Sequence, residues 1–218
     1  MKKIIILFGL LLLVSCNNSD DSYMKVEEVI GQFDGEDAEI IENIMKTDND
    51  QAVFYDEFNS KGEKIGSSMG VEWGDRSITY TLNEYNPNQV IEKVSLVDGK
   101  EATYIDLANN KYYNHELKVL DSKDPSYPDN YILSEKLQYK DLKGIEQSDG
   151  QIRLDFADDT YMVFDNNYML LEEKELSGGE FIVKKLSHVE KNPDELFEYY
   201  MSLIENMDQA ESLDDYKD

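Results

Sequence analysis

Apolar residues follow two different spacings along this chain, and the change between them divides the sequence. From Tyr23 to about Thr47 they recur every three or four residues, which predicts helix. This spacing is carried by Val26, Val29, Ile30, Phe33, Ala38, Ile40, Ile41, Ile44 and Met45. Gly31 and the stretch Phe33–Glu36 interrupt it. The pattern therefore predicts two short helices, or one kinked helix, before the rest of the fold.

Most of the remaining chain alternates apolar and polar residues, as half-buried β-strands do. The clearest case is Ile78, Tyr80 and Leu82, which alternate with two threonines. The segments with this pattern are 53–58, 71–73, 78–82, 90–97, 103–107, 112–120, 137–142, 152–156, 160–164, 168–176 and 181–189. Tight-turn signals such as Gly74-Asp75 and Ser148-Asp149-Gly150 separate them. We predict roughly nine to eleven short strands in an antiparallel meander.

Two features stand outside this rhythm. Asp121 to Tyr131 carries two prolines and predicts an ordered loop or a short helix over one end of the sheet. Asn192-Pro193-Asp194-Glu195 predicts a helix start, with Asn192 as cap and Glu195 completing a capping box. An apolar stripe follows, formed by Leu196, Phe197, Tyr200, Met201, Leu203, Ile204 and Met207. From Asp208 the acidic sequence predicts fraying, with residues 209–218 as a tail.

Together these elements predict one α+β domain over residues 24–208. Its main part is a large curved antiparallel β-sheet packed on N- and C-terminal helices. A sheet of that size must curl, and a helix inside the curl is expected to bury its concave face.

The N-terminus predicts where the protein works. Lys2 and Lys3 precede an apolar run from Ile4 to Val14, and Leu13-Val14-Ser15-Cys16 reads as a lipobox containing the only cysteine. Residues 1–15 are thus predicted to be a lipoprotein signal peptide. Cys16 becomes a diacylglyceryl anchor, and residues 16–23 a flexible tether. The alternative is a plain secretory signal in which the cysteine is incidental.

The charge is strongly negative, with 47 acidic and 21 basic residues and a formal net charge of −26. Such a surface repels nucleic acid and anionic lipid headgroups, so neither is expected as a direct partner. A basic protein or divalent cations would be attracted, although the charge also serves solubility. Once Cys16 is lipidated no disulfide is available within the chain.

Motifs for catalysis or cofactor binding are missing from the sequence. It contains no nucleophile elbow, phosphate-binding glycine loop or two-histidine zinc motif, so neither metal nor cofactor is predicted. His115 and His188 are expected at the surface or at strand edges. Asp48-Asn49-Asp50, and Asp155 with Asp158-Asp159, resemble calcium loops but are interpreted as solvated turns. The aromatic residues, among them Trp73, form either an ordinary core or the lining of an apolar cavity.

The predicted Cys16 anchor, N-terminal helix, run of hairpins and final helix resemble the half-barrel carrier architecture of LolA, RseB and LppX. The local likeness is best at Lys100–Tyr113 and at Tyr161–Phe197, where Leu196-Phe197 stands at a helix start. In its lipid-anchored form the chain is also similar to the germination lipoproteins of clostridia. That resemblance implies a half-barrel sheet and a non-enzymatic partner of a spore-cortex amidase, with a homodimer as one implied state.

Two functions remain open from the sequence. The first is a non-enzymatic adaptor that is lipid-anchored outside the cytoplasm and binds a cell-envelope enzyme. The membrane is the cell membrane, or the outer membrane if the source is Gram-negative. The second is a carrier or sensor of a lipid or other hydrophobic ligand, although a retained anchor argues against shuttling cargo between membranes. A hydrolase using a carboxylate pair is the weakest reading.

Overall fold

The structure is a computed structural model, and it describes residues 30–47, 51–86, 89–117 and 142–212. Several predictions therefore lie outside the described residues. They are the signal peptide, the Cys16 anchor, the tether, the Asp48-Asn49-Asp50 turn and the 121–131 segment.

Two α-helices and twelve strands make up the described elements. The helices are α1 (Gly35–Lys46) and α2 (Pro193–Leu203), and a short 3₁₀ helix, Ile204–Asn206, follows α2. The strands are β1 (Ala52–Phe58), β2 (Lys64–Trp73), β3 (Arg76–Asn83), β4 (Ile91–Asp98), β5 (Glu101–Asp106), β6 (Lys111–Glu116), β7 (Leu142–Ser148), β8 (Gln151–Phe156), β9 (Tyr161–Asp165), β10 (Leu170–Ser177), β11 (Glu180–Glu190) and β12 (Asp208–Gln209). The predicted break before α1 is confirmed, because residues 31–34 are not helical.

All twelve strands belong to one sheet, in the order β12-β6-β5-β4-β3-β2-β1-β11-β10-β9-β8-β7. Two antiparallel meanders therefore meet where β1 pairs with β11. The only parallel pairing among these strands is the short one between β12 and β6. The fold is a large, curved, unclosed antiparallel sheet with two short helices, so the sheet-dominated prediction is confirmed.

The residues in the turns explain why the sequence predicts most of the hairpins. Asp149 and Gly150 have φ values of 50° and 78° between β7 and β8. Gly178 and Gly179 have 60° and 88° between β10 and β11. Two consecutive residues with positive φ are what a two-residue turn needs to match the twist of its strands.

Two strands differ from the prediction because glycine and serine obscure their alternation. β2 begins at Lys64, well before the predicted segment, and it includes Gly66 and Gly70. β7 runs over Leu142–Ser148 and contains Gly144, and of the predicted segment 137–142 only Leu142 lies within the described residues. Glycine adds no apolar side chain to a pattern, so pairing with neighbouring strands defines these segments.

The predicted fraying at Asp208 is also wrong, since residues 208–210 add an edge to the sheet. The Asp208 N–H donates to the Asn110 carbonyl at 3.0 Å, and the Ala210 N–H donates to the Tyr112 carbonyl at 2.8 Å. The physical reason is that the outer side of β6 presents unpaired backbone groups, which the chain leaving α2 can satisfy.

The apolar residues form two separate cores, one for each helix. The first core joins α1 to β8 and β9 and consists of Ile40, Ile41, Ile44, Met45, Ile152, Leu154, Phe156, Met162 and Phe164. The second core joins α2 to β1–β5 and consists of Ala52, Met69, Val71, Ile78, Val94, Leu96, Ile105, Phe197 and Tyr200.

The strand register shows that these cores lie on opposite faces of the sheet. A row of directly opposed residues runs from Met162 through Glu173 and Lys184 to Glu57. Opposed residues share a face, and faces alternate along a strand. Glu57 therefore lies on the face opposite Phe54, which packs against the second core, whereas Met162 belongs to the first. Each face is apolar over only one half, so the two helices do not share a single concave face.

Candidate functional site: an aromatic cleft beside the closing helix

The start of α2 is held by local and long-range bonds. Asn192 caps the helix as predicted, its Oδ1 accepting from the Glu195 N–H at 3.3 Å. The reciprocal half of the predicted capping box is wrong, because the Asn192 N–H donates to Glu190 Oε1 at 3.1 Å. Asp194 Oδ1 accepts from Trp73 Nε1 at 3.1 Å. These contacts seat the first turn of α2 against the hairpin of β2 and β3.

Aromatic packing continues from that turn into the second core. The Phe197 ring meets Trp73 edge-on, with centroids 6.0 Å apart. The Arg76 guanidinium lies 5.0 Å from the Phe197 ring centroid and bonds to Asp98 at 2.9 Å and to Asp194 at 3.2 Å. Trp73 therefore belongs to the helix contact of the second core.

At the other end of α2 the second core opens into a cleft of about 350 Å³. We call it the aromatic cleft because five rings line it: Phe54, Tyr80, His188, Tyr199 and Tyr200. Leu107, Ser67 and Ser187, with the charged residues Asp56, Lys64 and Glu92, complete its wall. The rings come from β1, β3, β11 and α2, so the cleft exists only where the two meanders and the closing helix meet.

The rings are stacked against each other in pairs. Phe54 stacks on His188, with centroids 4.1 Å apart and an interplanar angle of 13°. Tyr80 and Tyr200 stack more loosely at 6.4 Å, and Tyr199 is tilted against Tyr200 at 5.3 Å. Tyr199 remains 56% exposed, so its ring is open to solvent.

Two carboxylates differ in how they are paired within the cleft. Asp56 Oδ1 lies 2.8 Å from Lys64 Nζ and accepts from Ser67 Oγ at 2.9 Å. The Lys64 bond is the main reason that the pKa of Asp56 is lowered. Glu92 Oε1 instead accepts from the Tyr80 hydroxyl at 3.1 Å. The ion pairs among the described residues do not include Glu92.

Burial makes the tyrosine hydroxyls of the cleft poor acids. It raises the pKa of Tyr80 well above its usual range, with the Glu92 charge adding to the effect. Burial also raises the pKa of Tyr200 to about 12, with smaller contributions from Tyr199 and Glu92. Both hydroxyls therefore stay neutral well above physiological pH.

Serine, histidine and aspartate are all present here, but their geometry differs from that of a catalytic triad. Ser67 donates directly to Asp56, whereas His188 stacks flat on Phe54. No hydrogen bond links His188 to either of them in the described part of the chain.

Apart from His188, the remaining candidate residues lie outside the aromatic cleft. His188 and His115 are exposed, as predicted. Asp155 bonds to Arg153 at 2.9 Å, and Asp159 lies 3.2 Å from Lys143 Nζ. Within the described ranges no group of three or more His, Cys, Asp or Glu side chains is arranged to hold a metal ion. No helix there is long and apolar enough to cross a membrane.

Sequence reasoning missed the aromatic cleft itself. The one signal available was the pair Tyr199-Tyr200 near the end of a capped helix, where a single apolar stripe cannot bury both rings. Identifying the partners of those rings required the pairing of β1 with β11.

Comparison with known proteins gave little further information. No family model and no curated protein matches this chain. Among solved structures, one similar chain is described as "Structure of PNGF-II in C2 space group". It shares 11% identity with a TM-score of 0.32, over 77% of this chain and 32% of that one. The chain thus spans about a third of that protein. A similarity this weak does not establish a shared fold.

Proposed function

We propose that this protein is a non-enzymatic adaptor, lipid-anchored through Cys16 outside the cytoplasm, that binds a cell-envelope enzyme. The lipobox and the polar tether support the anchor. The strongly acidic composition favours a basic protein partner over nucleic acid or an anionic membrane surface.

One observation carries the choice of an adaptor over a carrier. Each apolar half of the sheet is already covered by a helix, α1 in the first core and α2 in the second. A carrier of acyl chains needs an apolar surface that remains unoccupied until cargo arrives. In the described residues the apolar surfaces are used for internal packing, which leaves polar faces and the aromatic cleft for recognition.

The proposal also includes a more detailed description of the architecture. The curved, unclosed sheet would be a variant of the half-barrel of LolA, RseB and LppX, with the N- and C-terminal helices packed on it. Among lipid-anchored proteins of that type, the resemblance to the clostridial germination lipoprotein GerS makes a spore-cortex amidase the proposed partner. A homodimer is part of the same proposal.

The alternative is a carrier or sensor of a hydrophobic ligand, and the aromatic cleft is the observation that favours it. Its volume of about 350 Å³ lies near the lower end of the range for small-molecule sites. A small ring fits such a space better than a long acyl chain, so this alternative applies to a compact ligand.

The test is capture of the full chain from native membranes, followed by identification of co-purifying proteins. The Cys16→Ala variant is the matched control, since it keeps the folded domain and loses the predicted anchor. We expect an envelope amidase to co-purify, and its activity on peptidoglycan to rise when the full chain is added. Unchanged amidase activity would contradict the adaptor. A bound lipid in native mass spectrometry would favour the carrier, and hydrolysis of peptidoglycan by the chain alone would identify an enzyme.

A further inference from the structure

The rings at the mouth of the aromatic cleft form an electron-rich surface. Tyr199 and Tyr200 lie 5.3 Å apart with planes tilted by 57°, and Tyr80 stacks behind Tyr200. The faces of aromatic rings carry partial negative charge and attract a cation within about 6 Å of the centroid. Tyr199 is 56% exposed and Tyr200 is buried beside it, so the Tyr199 ring is the face available to a flat or tetrahedral cation.

A carboxylate lines the same cleft as these rings. Glu92 receives the Tyr80 hydroxyl at 3.1 Å, so one of its oxygens is oriented by the ring system. A carboxylate can accept more than one hydrogen bond. Lys64, the cation that lines the cleft, is engaged with Asp56 at 2.8 Å. Glu92 thus supplies a negative charge that the ion pairs of the described residues do not neutralise.

The chain uses the same combination of ring and carboxylate for its own arginines. Arg76 lies 5.0 Å from the Phe197 centroid and bonds to the carboxylates described above. Arg153 lies 3.8 Å from the Tyr161 centroid and bonds to Asp155 at 2.9 Å. Both arginines of this sequence are therefore held between a ring face and an acid. The aromatic cleft repeats that arrangement at a solvent-facing position.

From this geometry we propose that the aromatic cleft binds an alkylguanidinium or alkylammonium group, presented as an arginine or lysine side chain by the partner protein. Tyr199 contacts the cation, the buried Tyr200 supports the Tyr199 ring, and Glu92 pairs with the cation. The net charge of −26 draws a basic segment toward the domain and disfavours anionic ligands. The assignment of the cation to a protein rests on the proposed adaptor function, whereas the cation chemistry rests on the cleft alone.

The direct test uses a minimal probe, because a long basic peptide would bind anywhere on so acidic a surface. Nα-acetyl-arginine N-methylamide is titrated into the full chain, purified in mild detergent at physiological salt, while NMR shifts are followed. Nα-acetyl-citrulline N-methylamide is the matched probe, since it has nearly the same shape and no charge. We expect the arginine probe to shift the resonances of the cleft residues saturably, and the citrulline probe to leave them in place.

Two variants identify the groups responsible. Glu92→Gln removes the charge and Tyr199→Leu removes the ring face while keeping apolar bulk. Each is expected to weaken arginine binding by about threefold or more. Glu101→Gln makes the same charge change on the exposed first residue of β5, and it is expected to leave binding unchanged. Equal loss in Glu92→Gln and Glu101→Gln, with no loss in Tyr199→Leu, would show that only net charge matters and would overturn the proposal.

Other outcomes also overturn it. Equal shifts with both probes would show a site for neutral planar groups, and stronger binding of N-acetylglucosamine would show a sugar site. Arginine shifts spread over the surface would show counterion binding only.

Failure of the proposed adaptor function can be distinguished from failure of the proposed cation site. An arginine-specific cleft without a captured partner contradicts the adaptor alone. If a partner is captured, and Glu92→Gln and Tyr199→Leu weaken its binding no more than Glu101→Gln does, only the cleft proposal is contradicted.

Discussion

Replacing Phe197 with alanine tests whether α2 is seated in the second core as the structure shows. Phe197 is 5% exposed and packs edge-on against Trp73. Truncation of a buried phenylalanine costs about 3–5 kcal/mol, since the cavity adds to the lost transfer free energy. Trp73 and Arg76 are only partly buried, so the void opens partly to solvent and relaxes. We therefore expect the lower end of the range, a loss of about 3 kcal/mol in the free energy of unfolding.

The measurement is urea-induced unfolding of the full chain, followed by far-UV circular dichroism and by tryptophan fluorescence. Trp73 is the only tryptophan, so its fluorescence reports on the second core, while circular dichroism reports on all elements. Coincident transitions would license the two-state free energy. Tyr199→Ala is the control, because this neighbour on the same helix is 56% exposed and should cost less than about 1 kcal/mol. A loss below 1 kcal/mol for Phe197→Ala, or one equal to that of the control, would refute the reasoning.

The other predictions concern backbone approach, ionisation and the anchor. Gly66→Ala is expected to lower the free energy of unfolding by about 2 kcal/mol or more, since its Cβ would lie 2.2 Å from a backbone oxygen of β3, whereas Gly70→Ala in the same strand meets nothing within 4 Å. Urea unfolding should separate the two, and equal effects would contradict the clash. The pKa of Tyr200 is raised by burial to about 12 from 10.0, so the folded state favours the neutral hydroxyl. Its contribution is complete below about pH 10 and is lost as the pH rises toward 12. This loss in the free energy of unfolding reaches about 2 kcal/mol at about pH 11.5, and Tyr200→Phe should remove it. An unchanged pH profile in the variant would count against burial of Tyr200 as the cause. Cys16→Ala is expected to release the protein from the membrane with an unchanged thermal midpoint, and a variant that stays tightly bound would disprove the predicted anchor.

The sequence alone predicts only part of the candidate site. Asn192-Pro193 located α2 because capping depends on residues within one turn. Tyr200 belongs to the predicted apolar stripe of that helix, but Phe54 and His188 come from strands distant in the chain. Their stacking depends on the register between β1 and β11. That register shifts at a bulge between Phe54 and Tyr55, which the local sequence pattern does not predict.

The sequence by itself determined the local elements: a helix ending before the sheet, a series of antiparallel hairpins and a capped closing helix. These follow from spacing, turn residues and caps, which act over a few residues. Only the tertiary structure decided which face of the sheet each helix covers. Alternation along a strand shows that it has two faces but leaves open which one is covered in each half. That was settled by the pairing of β1 with β11, which placed the two apolar surfaces on opposite sides and formed the aromatic cleft at the edge of one of them.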